Sequence, residues 1–236
     1  MQKILVTGAN GFIGRNLCIA LEKKGYFINK VLRNTSHAAL IDMVKQSDFC
    51  FHLAGEVRNQ ASEDDFKASN VNFTEELIEQ LECNPMDILF ASSVHAANPK
   101  NPYGETKKIA EDMVTHYANK VGAQAHIYRL PHMFGQGCKP NYNSVITTWI
   151  VSAINGDELV VFDDDYKMNY LYINDLINTL IEQIKSKETL RLPETFDVKL
   201  GELKALINNV LTGKDIIRND QFVLNLSETI AHYKTI

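Results

Sequence analysis

Tyr103 and Lys107 stand at i and i+4 in the run Asn101-Pro102-Tyr103-Gly104-Glu105-Thr106-Lys107. Asn101 suits an N-cap and Pro102 the first helical position, so a helix begins here and carries both side chains on one face. A phenol with an ordinary pKa near ~10 exchanges protons poorly at neutral pH, and a neighbouring ammonium lowers it. The pair could move a proton to or from a carbonyl or alcohol oxygen. Ser92 and Ser93 end the apolar run from Asp87 to Phe90, just ahead of this helix. Tyr and Lys at this spacing are common on surface helices. What singles them out is their place after that strand and downstream of a glycine-rich loop.

That loop is Thr7-Gly8-Ala9-Asn10-Gly11-Phe12-Ile13-Gly14. The β-branched run Lys3 to Thr7 leads into it, and a helix follows in which Ile13, Leu17, Ala20, Leu21 and Lys24 recur at helical spacing before Gly25 closes it. Gly8 allows a tight turn, Gly11 lets the backbone approach a diphosphate, and Gly14, where the helix starts, lets it pack closely. Free N–H groups at the helix start then face the anion. Strand, glycines and helix in this order describe a dinucleotide site, with Asn10, Phe12 and Ile13 beside the glycines. After the second strand, Tyr26 to Leu32, an acidic residue would accept the ribose hydroxyls. The chain has Arg33-Asn34-Thr35-Ser36 there and no carboxylate until Asp42. An arginine fork suits a 2′-phosphate, so NADPH is favoured over NADH, with NADH the open alternative.

The elements that position these groups alternate. Strands at 49–53, 87–90 and 125–130 and helices at 38–45, 71–81 and 102–121 imply a parallel sheet covered on both faces, a Rossmann-type doubly wound α/β fold. Beyond Pro131 the alternation breaks. A Gly/Pro/Asn-rich loop over 131–145 precedes a helix at 144–154, a strand at 159–162, and helices near 175–186, 200–211 and 226–233. The expected organisation is one domain over 1–236: a dinucleotide-binding core at 1–130 and a substrate-binding lobe at 131–236, partly interleaved with it.

At 236 residues, 45% of them hydrophobic, the chain can bury a sizeable core. Its net charge of −5 argues against nucleic acid as a partner. The four cysteines have no metal-ligand spacing, so no metal site is expected and the thiols read as reduced. No apolar run approaches a membrane span, and the first apolar run is too short for a signal peptide, which makes a cytoplasmic location the expectation.

With Thr7 ahead of GxxGxxG, the loop resembles that of the extended, nucleotide-sugar-processing branch of the short-chain dehydrogenase/reductase superfamily. His52-Leu53-Ala54-Gly55 is similar to that family's segment along the cofactor, and Asn70-Val71 to its helix start. The resemblance implies that Leu53, Ala54, Gly55, Tyr103, Lys107, Leu130 and Pro131 contact the dinucleotide, and that Ser93, Tyr103 and Lys107 are the catalytic triad. Ser92 stays the alternative to Ser93, because Val94-His95-Ala96-Ala97 replaces the usual Val-Tyr-Gly and the loop to Tyr103 is short. Arg129-Leu130-Pro131-His132-Met133-Phe134-Gly135 resembles the family's Arg-x-x-Asn-x-x-Gly, with His132 in place of Asn. Tyr172-Ile173-Asn174-Asp175-Leu176 resembles Tyr-Val-Asp-Asp-Leu, but Met168 stands where a diphosphate-gripping arginine is usual. Lys139 or Arg58 would serve instead.

Three stretches, His52 to Arg58, Asn101 to Lys107 and Cys138 to Ile146, look like the reductase half of bacterial capsule and O-antigen enzymes. Those reduce the 4-keto group of a UDP-linked 2-acetamido-2,6-dideoxyhexose, which implies a nucleotide-sugar substrate held by Arg58, Ser93, His132, Lys139, Asn141 and Asn143. A dTDP-linked substrate stays open. Members of that subgroup carry a cupin domain after the reductase half. This sequence ends at Ile236, so the epimerisation assigned to the cupin is not carried over. The family also implies a homodimer through the helices near 71–82 and 103–121. Two other readings remain: a 4-epimerase with tightly bound NAD, against which Arg33 argues, and a non-catalytic dinucleotide sensor, which would need neither Tyr103 nor Lys107.

Overall fold

Five parallel strands form the sheet that the strand–helix alternation demands. In the computed structural model, which describes residues 2–58, 60–214 and 220–235, the chain runs β1 (Lys3–Thr7), α1 (Phe12–Lys23), β2 (Phe27–Val31), α2 (His37–Lys45), β3 (Phe49–His52), α3 (Glu63–Lys67) and α4 (Phe73–Cys83). It continues through β4 (Asp87–Ser93), α5 (Pro102–Val121) and β5 (Ala125–Leu130). The strand order β2-β1-β3-β4-β5 reverses beside β1, and sheets of this kind bind ligands at the carboxyl ends of the strands there. A core of Leu5, Cys50, Ile88 and Phe90 from the sheet packs with Leu40 and Val44 of α2, Leu77 and Leu81 of α4, and Ala110, Val114 and Tyr117 of α5.

The later elements are β6 (His132–Phe134), α6 (Val145–Ile154), β7 (Lys167–Tyr172), α7 (Ile173–Gln183), β8 (Phe196–Lys199), α8 (Leu200–Thr212) and α9 (Gln221–Lys234). The chain divides into two compact units. The first is Met1–Leu130 with Ile177–Leu192, and the second is Pro131–Leu176 with Pro193–Ile236. In the second unit β6 pairs parallel with β7, and β7 antiparallel with β8. Phe134, Tyr170, Tyr172, Phe196 and Phe222 form its aromatic core.

Several local expectations are corrected. Leu159–Phe162 is not a strand: Val160 and Phe162 are exposed, and the extended pairing falls to β7 instead. β6 lies inside the stretch whose Gly, Pro and Asn content predicts a loop, and β8 falls where the sequence predicts no strand. The helix expected from 71 begins earlier, with α3 and a π-helical turn over Ala68–Asn72 ahead of α4. A capping box at Ser62 and Asp65 starts it. α1 starts at Phe12 with Gly11 as N-cap, so Gly14 sits in its first turn and does not begin it.

Candidate active site

The glycine loop closes on itself. Gly8 has φ +65°, and a Cβ there would stand 2.8 Å from the Ala54 backbone nitrogen. A Cβ on Gly14 would fall 2.2 Å from the Gly8 carbonyl oxygen, so the close packing that this glycine permits is against the loop. Gly11 N–H donates to the same carbonyl at 2.8 Å. No side chain caps the start of α1, which leaves N–H groups of its first turn free for an anion.

A buried network fixes the ends of β1 and β3. Thr7 Oγ1 accepts from the backbone N–H of Leu53 at 3.2 Å and of Ala54 at 3.1 Å. Its proton goes to His52 Nδ1 at 2.8 Å, and His52 Nε2 donates to Thr74 Oγ1, which donates onward to the Asn70 carbonyl. Donor and acceptor balance assigns the neutral Nε2–H tautomer. Burial, with the nearby Lys107 charge, holds His52 down to about 3. Asn70, in the π-helical turn, ties the next loop: it accepts from Glu56 N–H at 2.8 Å and donates to the Glu56 carbonyl and to Thr106 Oγ1. A Cβ on Gly55 would lie 2.7 Å from the Asn70 amide oxygen and 3.1 Å from Lys107 Nζ.

Tyr103, Lys107 and Ser93 come together at the seam of β4 and α5. Asn101 Oδ1 accepts from Gly104 N–H at 2.8 Å and Pro102 opens the helix, as the sequence requires. The Ser93 hydroxyl lies beside the Tyr103 phenol, near enough to act on its proton. Ser92 Oγ instead donates to Glu111 Oε1 at 2.6 Å. Of the two candidate serines, Ser93 is on the tyrosine's side of β4 and Ser92 on the side of Glu111, since neighbouring strand residues point to opposite sides. Burial raises the Tyr103 pKa while the Ser93 contact lowers it, and burial prevails. Lys107, 4% exposed, donates to the Ala91 carbonyl at 2.9 Å and sits 4.8 Å from the Phe90 ring centre. Burial pushes its ammonium down to about 8, against the pull of Glu111.

Arg33, which the sequence assigns to a 2′-phosphate, carries an 80% exposed side chain whose Nη2 lies 3.4 Å from Glu56 Oε2. A carboxylate absent from its sequence neighbourhood is therefore present in space. Glu56 is 1% exposed and is gripped by Arg58 at 2.9 and 2.7 Å and by the N–H groups of Val57 and Arg58. Burial raises its pKa, but the Arg58 and backbone bonds overcome this and hold it at about 2. Arg58 is thus committed to a carboxylate as well as half-exposed. Sequence reasoning missed Glu56, Glu111 and the tying role of Asn70. Only Glu111 left a local signal, an acidic residue one turn beyond Lys107 on the buried face of α5.

The remaining candidates lie in the second unit, apart from Leu130, which ends β5. Pro131 precedes β6, and His132 is exposed, with its ring 6.1 Å from that of Tyr170. Lys139, Asn141 and Asn143 are exposed in the following loop, where Asn141 has φ +54° and its N–H donates to Thr148 Oγ1 at 2.9 Å. Ser144 caps α6. No group of three metal-ligating side chains, and no helix long and apolar enough to cross a membrane, occurs among the described residues.

A glycine cradle closed to a Cβ at Gly8 and Gly14, an uncapped helix start and a buried ammonium hydrogen-bonded to a carbonyl fit a bound dinucleotide. Fold and site together define a dinucleotide-binding α/β protein of the Tyr-x-x-x-Lys type. The chain belongs to the NAD dependent epimerase/dehydratase family, whose family model matches residues 4–198. It is 33% identical over 209 residues to a UDP-2-acetamido-2,6-beta-L-arabino-hexul-4-ose reductase of Pseudomonas aeruginosa, a match that spans 86% of this chain and 56% of that protein. The crystal structure of the capsular polysaccharide assembling protein CapF from Staphylococcus aureus superimposes with a TM-score of 0.87 at 32% identity, over 98% of this chain and 65% of CapF. The chain thus spans under two thirds of either relative. A UDP-glucuronic acid 4-epimerase from Bacillus cereus, solved with NAD, shares the fold at TM-score 0.84 and 18% identity over 99% of both chains.

Proposed function

We propose that this protein is an NADPH-dependent reductase of the 4-keto group in a nucleotide-linked 6-deoxy-4-keto sugar, acting in the cytoplasm in bacterial surface polysaccharide biosynthesis. The observation that carries the reading is the seam at which Ser93 meets the Tyr103 phenol one helical turn from the buried Lys107 ammonium. The similarity to a reductase of a UDP-linked hexulose supports the same chemistry.

The glycines 8, 11 and 14, Asn10, Phe12, Ile13, the backbone of Leu53 to Gly55, and Leu130 and Pro131 would hold the dinucleotide, with Arg33 at its 2′-phosphate. Bound there, the dinucleotide supplies a hydride. Tyr103 holds the proton for the sugar oxygen: its raised pKa keeps the phenol protonated at neutral pH, the state an acid needs. Ser93 offers that oxygen a second hydrogen bond. Lys107, one turn along α5, would hold the ribose, and its positive charge would ease loss of the Tyr103 proton as charge builds on the substrate. His132, Lys139, Asn141 and Asn143, with the exposed part of Arg58, would take the sugar and its diphosphate. A homodimer through α4 and α5 completes the proposal.

Incubation with NADPH and a panel of UDP- and dTDP-linked 4-keto-6-deoxy sugars, followed by mass spectrometry, tests this. Net reduction of one panel member, with NADPH consumed in equal amount, is expected. Interconversion of epimers without net reduction would make the protein an epimerase, and binding without turnover of any member would make it a sensor.

A further inference from the structure

Three consecutive residues of β4 take three residues of α5 spaced four apart. Ser93 meets Tyr103, the Ala91 carbonyl accepts from Lys107, and Ser92 donates to Glu111. The first two contacts belong to the proposed chemistry, and the third does not. Glu111 is 4% exposed, as buried as Lys107, and a carboxylate this deep needs partners. It has them from two strands at once: Ser92 Oγ at 2.6 Å on β4, and Arg129 of β5 through Nε at 2.9 Å and Nη2 at 2.7 Å. The bidentate fork fixes direction as well as distance.

We propose that Glu111 is a positioning residue for this site: anchored by Ser92 and Arg129, its carboxylate sets the register of α5 on β4 and supplies the negative field under which Lys107 keeps its charge. Slipping α5 by one residue would separate Tyr103 from Ser93 and Lys107 from Ala91 together, and the Ser92–Glu111–Arg129 brace opposes that slip. One turn apart on a buried helix face, Glu111 and Lys107 interact through little solvent. The charged or titratable groups around the pair are Tyr103 and Lys108 on α5, His52 on β3, and Arg129 on β5 with Asp112 beside it. His52 is neutral, and Lys108 is paired with Asp112. Glu111 is therefore the anion that acts on Lys107.

The inference rests on the reading that Lys107 holds the dinucleotide, but its first test does not need a ligand. Carbon-13 NMR of lysine-labelled protein, with the Lys107 signal assigned by its loss in Lys107→Met, follows the ammonium through pH 6 to 10. Wild-type Lys107 should titrate near 8. Glu111→Gln, which keeps the shape and a Ser92 contact, should move that midpoint down by about one pH unit. Arg129→Met, which leaves the carboxylate with Ser92 alone, should move it up. NADPH titrations should follow the same order, with affinity lost at lower pH in Glu111→Gln than in the wild type. A merely structural role moves both variants the same way or neither, and either result overturns the proposal. If Glu111→Gln fails to fold, Arg129→Met decides alone: an upward shift supports the field, while an unmoved or lower midpoint overturns it. A wild type that binds no dinucleotide refutes the functional reading, while the lysine titration still decides the brace.

Discussion

The candidate residues of the first unit and those of the second are held in opposite ways. Around β1, β3, β4 and α5 almost every polar group is buried and spoken for: Thr7, His52, Asn70, Ser92, Lys107 and Glu111 bridge one element to another. In the loop from Lys139 to Asn143 the side chains are exposed, and the order comes from the backbone and its neighbours, through Asn141 N–H to Thr148 and Tyr233 OH to the Cys138 carbonyl. A pre-organised seam suits charge development in a reaction, and exposed amides and a lysine suit capture of a polar ligand. Substitutions in the first region should therefore change turnover or cofactor affinity, and those in the second should change substrate affinity.

The largest effect is expected from Tyr103→Phe. Only a hydroxyl is removed, so fold and NADPH binding should persist while kcat falls ~10²–10⁴-fold. A KM effect with kcat intact would erase the contrast between the regions.

Next is the carboxylate that organises the loop after β3. Glu56 has its pKa lowered from 4.5 to about 2, so the folded state gives up a proton that the unfolded chain still binds between these values. Its contribution, about 3 kcal/mol at neutral pH, is complete above pH ~5 and lost as the pH falls through the folded value. Thermal melts should show the wild type losing stability from pH 5 to pH 2, and Glu56→Gln less stable at pH 7 with a flatter acid limb. Equal acid limbs would mean that the loop is not held by this carboxylate.

Arg33→Ala should remove most of the preference for NADPH over NADH, a charge-assisted contact contributing on the order of 1.5–3 kcal/mol, roughly tenfold to a hundredfold. Equal affinities in the wild type would show that pairing with Glu56 has already occupied the arginine. The smallest effects belong to the second unit. Lys139→Ala and Asn143→Ala should each raise KM for the sugar nucleotide severalfold, in line with about 1 kcal/mol per contact, and leave NADPH affinity unchanged. Normal sugar-nucleotide binding in both would make the loop structural.

What was legible in the sequence follows the same division. The glycine loop, the Asn101-Pro102 helix start and the Tyr103–Lys107 face are set by residues within a few positions of one another, and spacing reveals them. Glu56 and Arg33 are 23 residues apart and meet only because β1 lies between β2 and β3. Ser92 and Ser93 cannot be told apart by type, since their partners on α5 decide. In the second unit β6 and β8 span three and four residues and exist through their pairing with β7, a context that propensity does not carry. The Leu159–Phe162 run has strand composition but pairs with no strand among the described residues, and it leaves Val160 and Phe162 largely exposed.

The most direct test of the central claim is a single turnover with NADPH deuterated at the transferable position and the 4-keto sugar nucleotide that the panel identifies, run in wild type and in Tyr103→Phe. The account predicts a product carrying one deuterium at the sugar's C4 in the wild type, and the same product formed ~10²–10⁴-fold more slowly in Tyr103→Phe. A product without deuterium, or equal rates in the two proteins, would contradict it.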